Sequence, residues 1–254
     1  MPRKPTLSPS KITTYLACPV KFRWTYVDAR GRWYLRSKSY YSFGSSLHRV
    51  LERFHDSNDA GVTTTDEALG ALEESWIDAG FSSAEEMAEA YGEGREILER
   101  YVSVTKQRPT EAKTLFVERQ LRYDLGDFVL IGRLDRLDEW PDGRLEVVDY
   151  KSGRQEVTEE EVADDIAMAC YQLLVRRKFP DRPVCATIIA LRTGASATVG
   201  LTDEQIDEFE ADLRRLGNDI LGEDYEELVP VFKPLCLRCD FLPLCRKHPE
   251  FAEL

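Results

Sequence analysis

The sequence predicts an α/β fold, and three observations carry that reading. Residues 131–151, IGRLDRLDEWPDGRLEVVDYK, read as two strands joined by a tight turn. Residues 159–178 place Val162, Ile166, Cys170 and Leu173 at helical spacing. Residues 184–191, VCATIIAL, are an unbroken apolar run of strand length. A helix between two strands is the alternation expected of an α/β architecture. With 254 residues and 43% hydrophobic content, the chain is read as a single domain, 1–254, whose core carries a helical insertion at about 60–110.

In chain order, Ser8-Pro9-Ser10 opens a first helix, with Ser at the cap and Pro in the first turn. Ile12, Tyr15, Leu16 and Phe22 form its apolar stripe, and Cys18-Pro19 interrupts it. A second helix spans 42–55, where Leu47, Val50, Leu51 and Phe54 face the core. His48 lies beside that stripe; read alone, such a histidine packs or makes an ordinary hydrogen bond. Thr64-Asp66-Glu67 and Ser82-Ala84-Glu85 resemble capping boxes that start acidic helices at 65–79 and 83–105. Residues 115–123 form a strand, with Glu118 a secondary candidate for the site described below. In the hairpin, Val129, Ile131 and Leu137 mark the first strand. Pro141-Asp142-Gly143-Arg144 is the turn, where Pro fixes φ and Gly tolerates positive φ. Leu145, Val147 and Val148 open the second strand, which ends in Asp149-Tyr150-Lys151. Residues 159–178 follow as one helix flanked by Tyr171, then the 184–191 strand, a turn at Thr193-Gly194, a return strand at 197–201, and a helix over 202–217 capped by Thr202 and Gln205. Cys170 and Cys185 are core thiols.

Strand side chains alternate, so Asp149 and Lys151 share one face. A hairpin closing at the turn brings Asp135 near Asp149. Two carboxylates on rigid strands supply the oxygen ligands that a hard divalent cation such as Mg²⁺ needs. A lysine beside them is a point charge suited to a phosphate or to orienting a water. The competing reading of the same residues is a hairpin with solvated charges.

The formal charge of −12 argues against a general polyanion-binding surface, although a local basic groove suffices for nucleic acid. Acids concentrate in 66–99, 156–165 and 203–227. The segment 21–53 is instead basic (Lys21, Arg23, Arg30, Arg49 and Arg53 among others) and interleaved with Trp24, Trp33, Tyr34, Tyr40 and Tyr41. That mixture suits single-stranded nucleic acid, whose phosphates need cations and whose bases stack; it equally suits a packed core edge with snorkelling arginines. No apolar run approaches the ~20 residues that span a bilayer, and MPRKPTLSPS lacks the apolar core of a signal peptide. The expectation is a cytoplasmic protein with no membrane partner. The sequence has no P-loop Gly-x-x-x-x-Gly-Lys-Ser/Thr.

Cys236, Cys239 and Cys245 stand one ligand short of four, and Cys18 is the available fourth. Four thiolates suit Zn²⁺ or an iron–sulfur cluster, and spacing alone leaves both open. A disulfide framework does not fit a cytosolic chain.

Gly132-Arg133-Leu134-Asp135, the turn, and Asp149-Tyr150-Lys151 together resemble the core of the PD-(D/E)xK nuclease superfamily, in its RecB-like branch, which includes AddB-like and CRISPR-associated adaptation nucleases. Leu134 stands where the superfamily name has Pro, as is common in RecB-like members. The resemblance implies a restriction-endonuclease-like core, a central mixed β-sheet flanked by helices. It implies that His48, in Gly44-Ser45-Ser46-Leu47-His48, joins Asp135, Asp149 and the Tyr150 carbonyl as ligands of Mg²⁺ or Mn²⁺, with Lys151 catalytic. Tyr171 matches the Tyr of a Gln-x-x-x-Tyr signature near active site and DNA, but Ala167 stands at the Gln position, and Gln172 points about 100° away around the helix. One Cys before the core and three after it resemble the subset carrying a [4Fe–4S] cluster on Cys18, Cys236, Cys239 and Cys245. Such a staple joins the N- and C-terminal segments and, by analogy with disulfide loop closure, contributes about 5 kcal/mol. The implied activity is that of a metal-dependent DNA exonuclease on single strands or frayed ends, in DNA repair, recombination or processing, with a helicase or CRISPR adaptation partner. The alternatives are a non-catalytic DNA-binding or assembly subunit and a CRISPR-type spacer-processing nuclease.

Overall fold

The structure is a computed structural model that describes residues 4–56 and 61–251; residues 57–60, where the helical insertion is expected to begin, lie outside the described residues. In chain order the elements are β1 (Thr6–Leu7), α1 (Pro9–Ala17), α2 (Pro19–Phe22), α3 (Ser39–His55), α4 (Thr65–Ser75), α5 (Ala84–Gln107), β2 (Lys113–Asp124), β3 (Val129–Glu139), β4 (Leu145–Lys151), α6 (Glu159–Ala163), α7 (Ile166–Lys178), β5 (Val184–Ala190), β6 (Ala195–Val199), α8 (Asp203–Gly222) and α9 (Leu242–Cys245). They pack as two compact units. One is built from the described parts of Met1–Arg36, Asp124–Leu130 and Glu210–Leu254, the other from those of Ser37–Tyr123 and Ile131–Phe209.

In the first unit, β1 runs parallel to the start of β3, pairing Thr6 with Val129 and Leu7 with Leu130. Ser8 caps α1 by accepting from the Lys11 amide at 3.3 Å. Cys18 both ends α1 and starts α2: its amide donates to the Thr14 carbonyl at 3.0 Å, and its Sγ accepts from the Lys21 amide at 3.4 Å. The interruption expected at Cys18-Pro19 is therefore a capped reversal into a new turn. Phe22 is the aromatic centre of this unit, 5.7 Å from Tyr15, 5.1 Å from Tyr26 and 5.4 Å from Tyr225. Gly217 is required by packing, since a Cβ there would lie 2.1 Å from the Phe128 ring.

In the second unit the strand order is β2-β3-β4-β5-β6. β3 and β4 pair antiparallel (Arg136 with Val148), β4 and β5 parallel (Asp149 with Ile188), and β5 and β6 antiparallel (Ile188 with Ala197). The sheet is thus mixed, as expected. The β3–β4 turn closes with Gly143 at φ +88°, its amide donating to the Trp140 carbonyl at 2.9 Å. Residues of β4 from Val147 to Tyr150 are all buried, the signature of a strand covered on both faces. One face packs on α3, α4 and α5 in a cluster that joins Leu47, Val50, Leu51, Leu72, Leu98 and Val102 to Val148 and Tyr150.

Three expected elements are corrected. The helix expected over 159–178 is broken at Asp164-Asp165, because the Asp165 carboxylate accepts from the amides of Ala167 (2.8 Å) and Met168 (3.3 Å) and so caps a new helix. α4 stops at Ser75 rather than 79, because the Ile77 amide donates to Ser46 Oγ at 2.9 Å instead of continuing the helix. The cap of α5 is Ser83, whose Oγ accepts from the Glu86 amide at 3.1 Å, one residue later than the expected box. The boxes at Thr64–Glu67 and Thr202–Gln205 form as expected.

Candidate active site

The site lies wholly within the second unit, in a cavity of about 800 Å³. The β3–β4 register, continued one step past Arg136–Val148, brings Asp135 beside Asp149. The Tyr150 amide donates to Asp135 Oδ2 at 2.8 Å, fixing that carboxylate against the neighbouring strand. Lys151 Nζ lies 2.7 Å from Asp149 Oδ2. From α3, His48 places Nδ1 3.4 Å from Asp135 Oδ1 and Nε2 2.9 Å from the Tyr150 carbonyl oxygen. Gly44, one turn earlier, lets α3 approach the end of β4: a Cβ there would sit 2.8 Å from Ser152 Oγ. The residues expected from the sequence (His48, Asp135, Asp149, Tyr150 and Lys151) therefore converge on one point.

The tightest group differs from that expectation in one member. His48, Glu118 and Asp135 have ligand atoms all within 4.8 Å of one another, and Glu118, secondary in the sequence, is the third. Glu118 Oε1 stands 3.9 Å from His48 Nδ1, while its Oε2 accepts from Arg133 Nε at 2.5 Å. Its φ is +45°, the single positive value at a non-glycine among the described residues. A side chain held in that region costs about 1–2 kcal/mol, so the strand is strained to aim this carboxylate. No period-2 pattern signals such a distortion, which is why the residue was legible only as an acid on a strand.

Electrostatics fit a cation. Burial disfavours the charged form of His48, but the Asp135 carboxylate, accepting from the imidazole, and the nearby Glu118 outweigh it and lift the group to about 10. Burial, then the charge of Asp135, raises Asp149 to about 6. Burial opposes the Lys151 ammonium, but Asp149 more than offsets it and raises the group. Asp149 Oδ2 is buried against the Lys151 ammonium at 2.7 Å. The carboxylates of Asp135, Glu118 and Asp149 with an imidazole are a donor set that a divalent cation satisfies.

Tyr171 is brought to the same place from α7. Its ring packs on Gly132, where a Cβ would lie 3.0 Å from Tyr171 Cε1. Burial and then the charges of Asp149 and Asp135 push its phenol up. Gln172 is turned away, its Oε1 accepting from the Leu201 amide at 2.9 Å, so the Gln missing at Ala167 is not replaced by its neighbour. Around the cavity mouth stand Arg49, Arg133 and Arg154, with Tyr40 and Tyr41. The two tyrosines are 61% and 67% exposed, with ring centroids 4.4 Å apart. Part of the basic and aromatic segment seen in the sequence is therefore at the site rather than in a core edge.

The first unit holds the cysteine quartet. Cys236 Sγ accepts from the Lys233 amide at 3.3 Å, and the Cys239 amide donates to the Cys236 carbonyl at 3.0 Å. Burial raises Cys239, and it feels the charges of Cys236 and Cys18. Burial and then Cys239, Cys18 and Cys236 raise Cys245 to about 11. Four thiols from opposite ends of the chain are thus electrostatic neighbours, and all are free. Cys170 and Cys185, in the second unit, are buried, as expected for core thiols. No helix among the described residues is long and apolar enough to cross a membrane.

The profile of the PD-(D/E)XK nuclease superfamily matches residues 6–246. Among solved structures, one described as a candidate exonuclease from Eubacterium rectale aligns with a TM-score of 0.52 at 13% identity, covering 98% of this chain and 90% of its own. The crystal structure of SSO0001 aligns over 96% of this chain and 87% of its own, with 16% identity and a TM-score of 0.41. No curated protein matches the sequence.

Proposed function

The chain belongs to the PD-(D/E)XK nuclease superfamily, and on that footing we propose that it is a metal-dependent DNA exonuclease acting on single strands, with a [4Fe–4S] cluster as a structural staple. The observation that carries the catalytic reading is the convergence of His48, Asp135, Asp149 and Lys151, with Lys151 Nζ 2.7 Å from Asp149 and His48 3.4 Å from Asp135. His48, Asp135, Asp149 and the Tyr150 carbonyl, joined by Glu118, would hold Mg²⁺ or Mn²⁺. When bound, such an ion lowers the pKa of a coordinated water and offsets charge on a phosphoryl oxygen.

The chain's own residues do the rest. Lys151, kept charged by Asp149, orients the attacking water and faces the developing phosphoryl charge. Arg49, Arg133 and Arg154 hold flanking phosphates. Tyr40 and Tyr41 offer exposed ring faces to successive bases, which favours an unpaired strand. Tyr171 closes the wall behind the two acids.

The choice of a cluster over Zn²⁺ rests on the resemblance, one cysteine before the core and three after it; the four thiols themselves suit either. Amide-to-sulfur hydrogen bonds at Cys18 and Cys236 stabilise thiolates in either case. The proposed setting is cytoplasmic DNA repair, recombination or processing, with a helicase or CRISPR adaptation partner supplying frayed ends.

The test uses single-stranded DNA labelled at its 5′ or 3′ end and anaerobically purified protein, with Mg²⁺, Mn²⁺ or chelator. Stepwise shortening in metal that stops in chelator is the expected result, and the two labels report polarity. Binding without cleavage in any metal would instead favour a non-catalytic assembly subunit.

A further inference from the structure

The residues that alternate with the catalytic acids face the other side of the sheet. There, still within the second unit, a separate cavity of about 350 Å³ opens between α5, β3 and the β5–β6 turn. It shares no lining residue with the acid site, and its volume is that of a small-molecule site.

Its wall is built for an anion. Arg100, Arg108 and Arg136 line it against a single carboxylate, Asp138, which leaves two positive charges over in a chain whose net charge is −12. Arg136 is buried, 8% exposed. Its Nη1 donates to His55 Nε2 at 2.8 Å, to Tyr101 Oη at 3.1 Å and to Tyr150 Oη at 2.5 Å. Asp138 pairs with its charge, Oδ2 lying 3.0 Å from Arg136 Nε, so the surplus positive charge of the wall is that of Arg100 and Arg108. Asp138 is partly engaged by Thr114, whose Oγ1 donates to it at 2.8 Å. Arg100 gives its Nη2 to the carbonyls of Leu191 and Arg192, at 2.8 and 2.6 Å, rather than to a carboxylate.

The other side of the cavity is apolar, from Val104, Ile189 and Leu191. Guanidinium forks match phosphate oxygens, and an apolar wall with the Tyr101 ring matches a flat heteroaromatic ring. We propose that this cavity binds a nucleoside monophosphate, with the phosphate at Arg100 and Arg108 and the base against the apolar wall. The choice of a nucleotide over other phosphate monoesters rests on the nuclease reading, because such nucleotides are an exonuclease's products; the anion site itself does not.

The test is isothermal titration of the full chain with dAMP, inorganic phosphate and adenosine in chelator, where nuclease activity plays no part. Support consists of dAMP binding that exceeds phosphate and adenosine, weakens about tenfold or more in Arg108→Ala and in Arg100→Ala, and persists in Lys151→Ala. Both arginines are exposed, so these variants should fold; an unchanged thermal midpoint checks it, and Arg108→Gln serves if one does not. The proposal is overturned if dAMP does not bind, if phosphate binds as tightly as dAMP, or if binding survives both arginine variants and is lost in Lys151→Ala, which would place the nucleotide at the acid site.

Discussion

Glu118 Oε1 stands 3.9 Å from Nδ1 of His48, and the backbone that delivers it is held at φ +45°. The strain and the placement are one feature: an unstrained strand residue would turn this carboxylate elsewhere. Glu118→Gly removes both. The variant is expected to be about 1 kcal/mol more stable in urea, since glycine adopts positive φ freely, while its metal affinity and cleavage rate fall. A loss of stability together with a loss of activity would contradict this account.

The paired rings of Tyr40 and Tyr41 give a binding prediction. Each stacked base contributes about 1–3 kcal/mol. The double variant Tyr40→Ala/Tyr41→Ala should raise KM for single-stranded DNA by at least about tenfold and leave thermal stability unchanged, because both rings are largely exposed. Steady-state kinetics on single-stranded and duplex ends measure it. An equal effect on both substrates would remove the single-strand preference from the reading.

His55 predicts a pH dependence of stability. Unfolded, it titrates near 6.5; folded, burial and Arg136 hold it down to about 2. Below pH 6.5 the unfolded chain therefore binds a proton that the folded chain does not. This contribution is present above 6.5 and is lost as pH falls, by about 1.4 kcal/mol per pH unit. His55→Asn keeps an acceptor for Arg136 without the titration. Urea unfolding between pH 6.5 and 5 should show a shallower loss in the variant than in the parent; parallel slopes would contradict the assignment.

The proposed cysteine staple would join positions more than 200 residues apart. Cys236→Ser should lower stability by several kcal/mol, up to about 5, and abolish the visible iron–sulfur absorbance and stoichiometric iron of anaerobically purified protein. Retained stability and activity in Cys236→Ser would remove the staple from the account.

The pattern of residues made most of this site readable in advance. Period-2 alternation and one Pro-Gly turn placed Asp135, Asp149 and Lys151 together, because hairpin register follows from the turn. Helical spacing put His48 only beside an apolar stripe, and its place among the ligands came from the resemblance; the missing Cβ of Gly44 is what lets α3 approach Ser152. Glu118 resisted the same reasoning because its role depends on a local backbone distortion. The break at Asp165 was missed because the apolar stripe from Val162 to Ile166 continues across it, while the cap that interrupts the helix is a competition between side chain and backbone. The second cavity was not legible at all. Arg136 and Asp138 lie on β3 and His55 on α3, and no periodicity or spacing in the sequence joins them.

The most direct measurement is single-turnover cleavage of end-labelled single-stranded DNA by the parent chain and by Lys151→Ala, in Mn²⁺ and in chelator, with metal affinity measured in parallel. The account predicts cleavage by the parent only when metal is present, a fall of about 10²–10³ in rate for Lys151→Ala, and metal affinity that persists in the variant. Cleavage at the parent's rate by Lys151→Ala would contradict the assignment of this lysine and, with it, of the acid site as the nuclease centre.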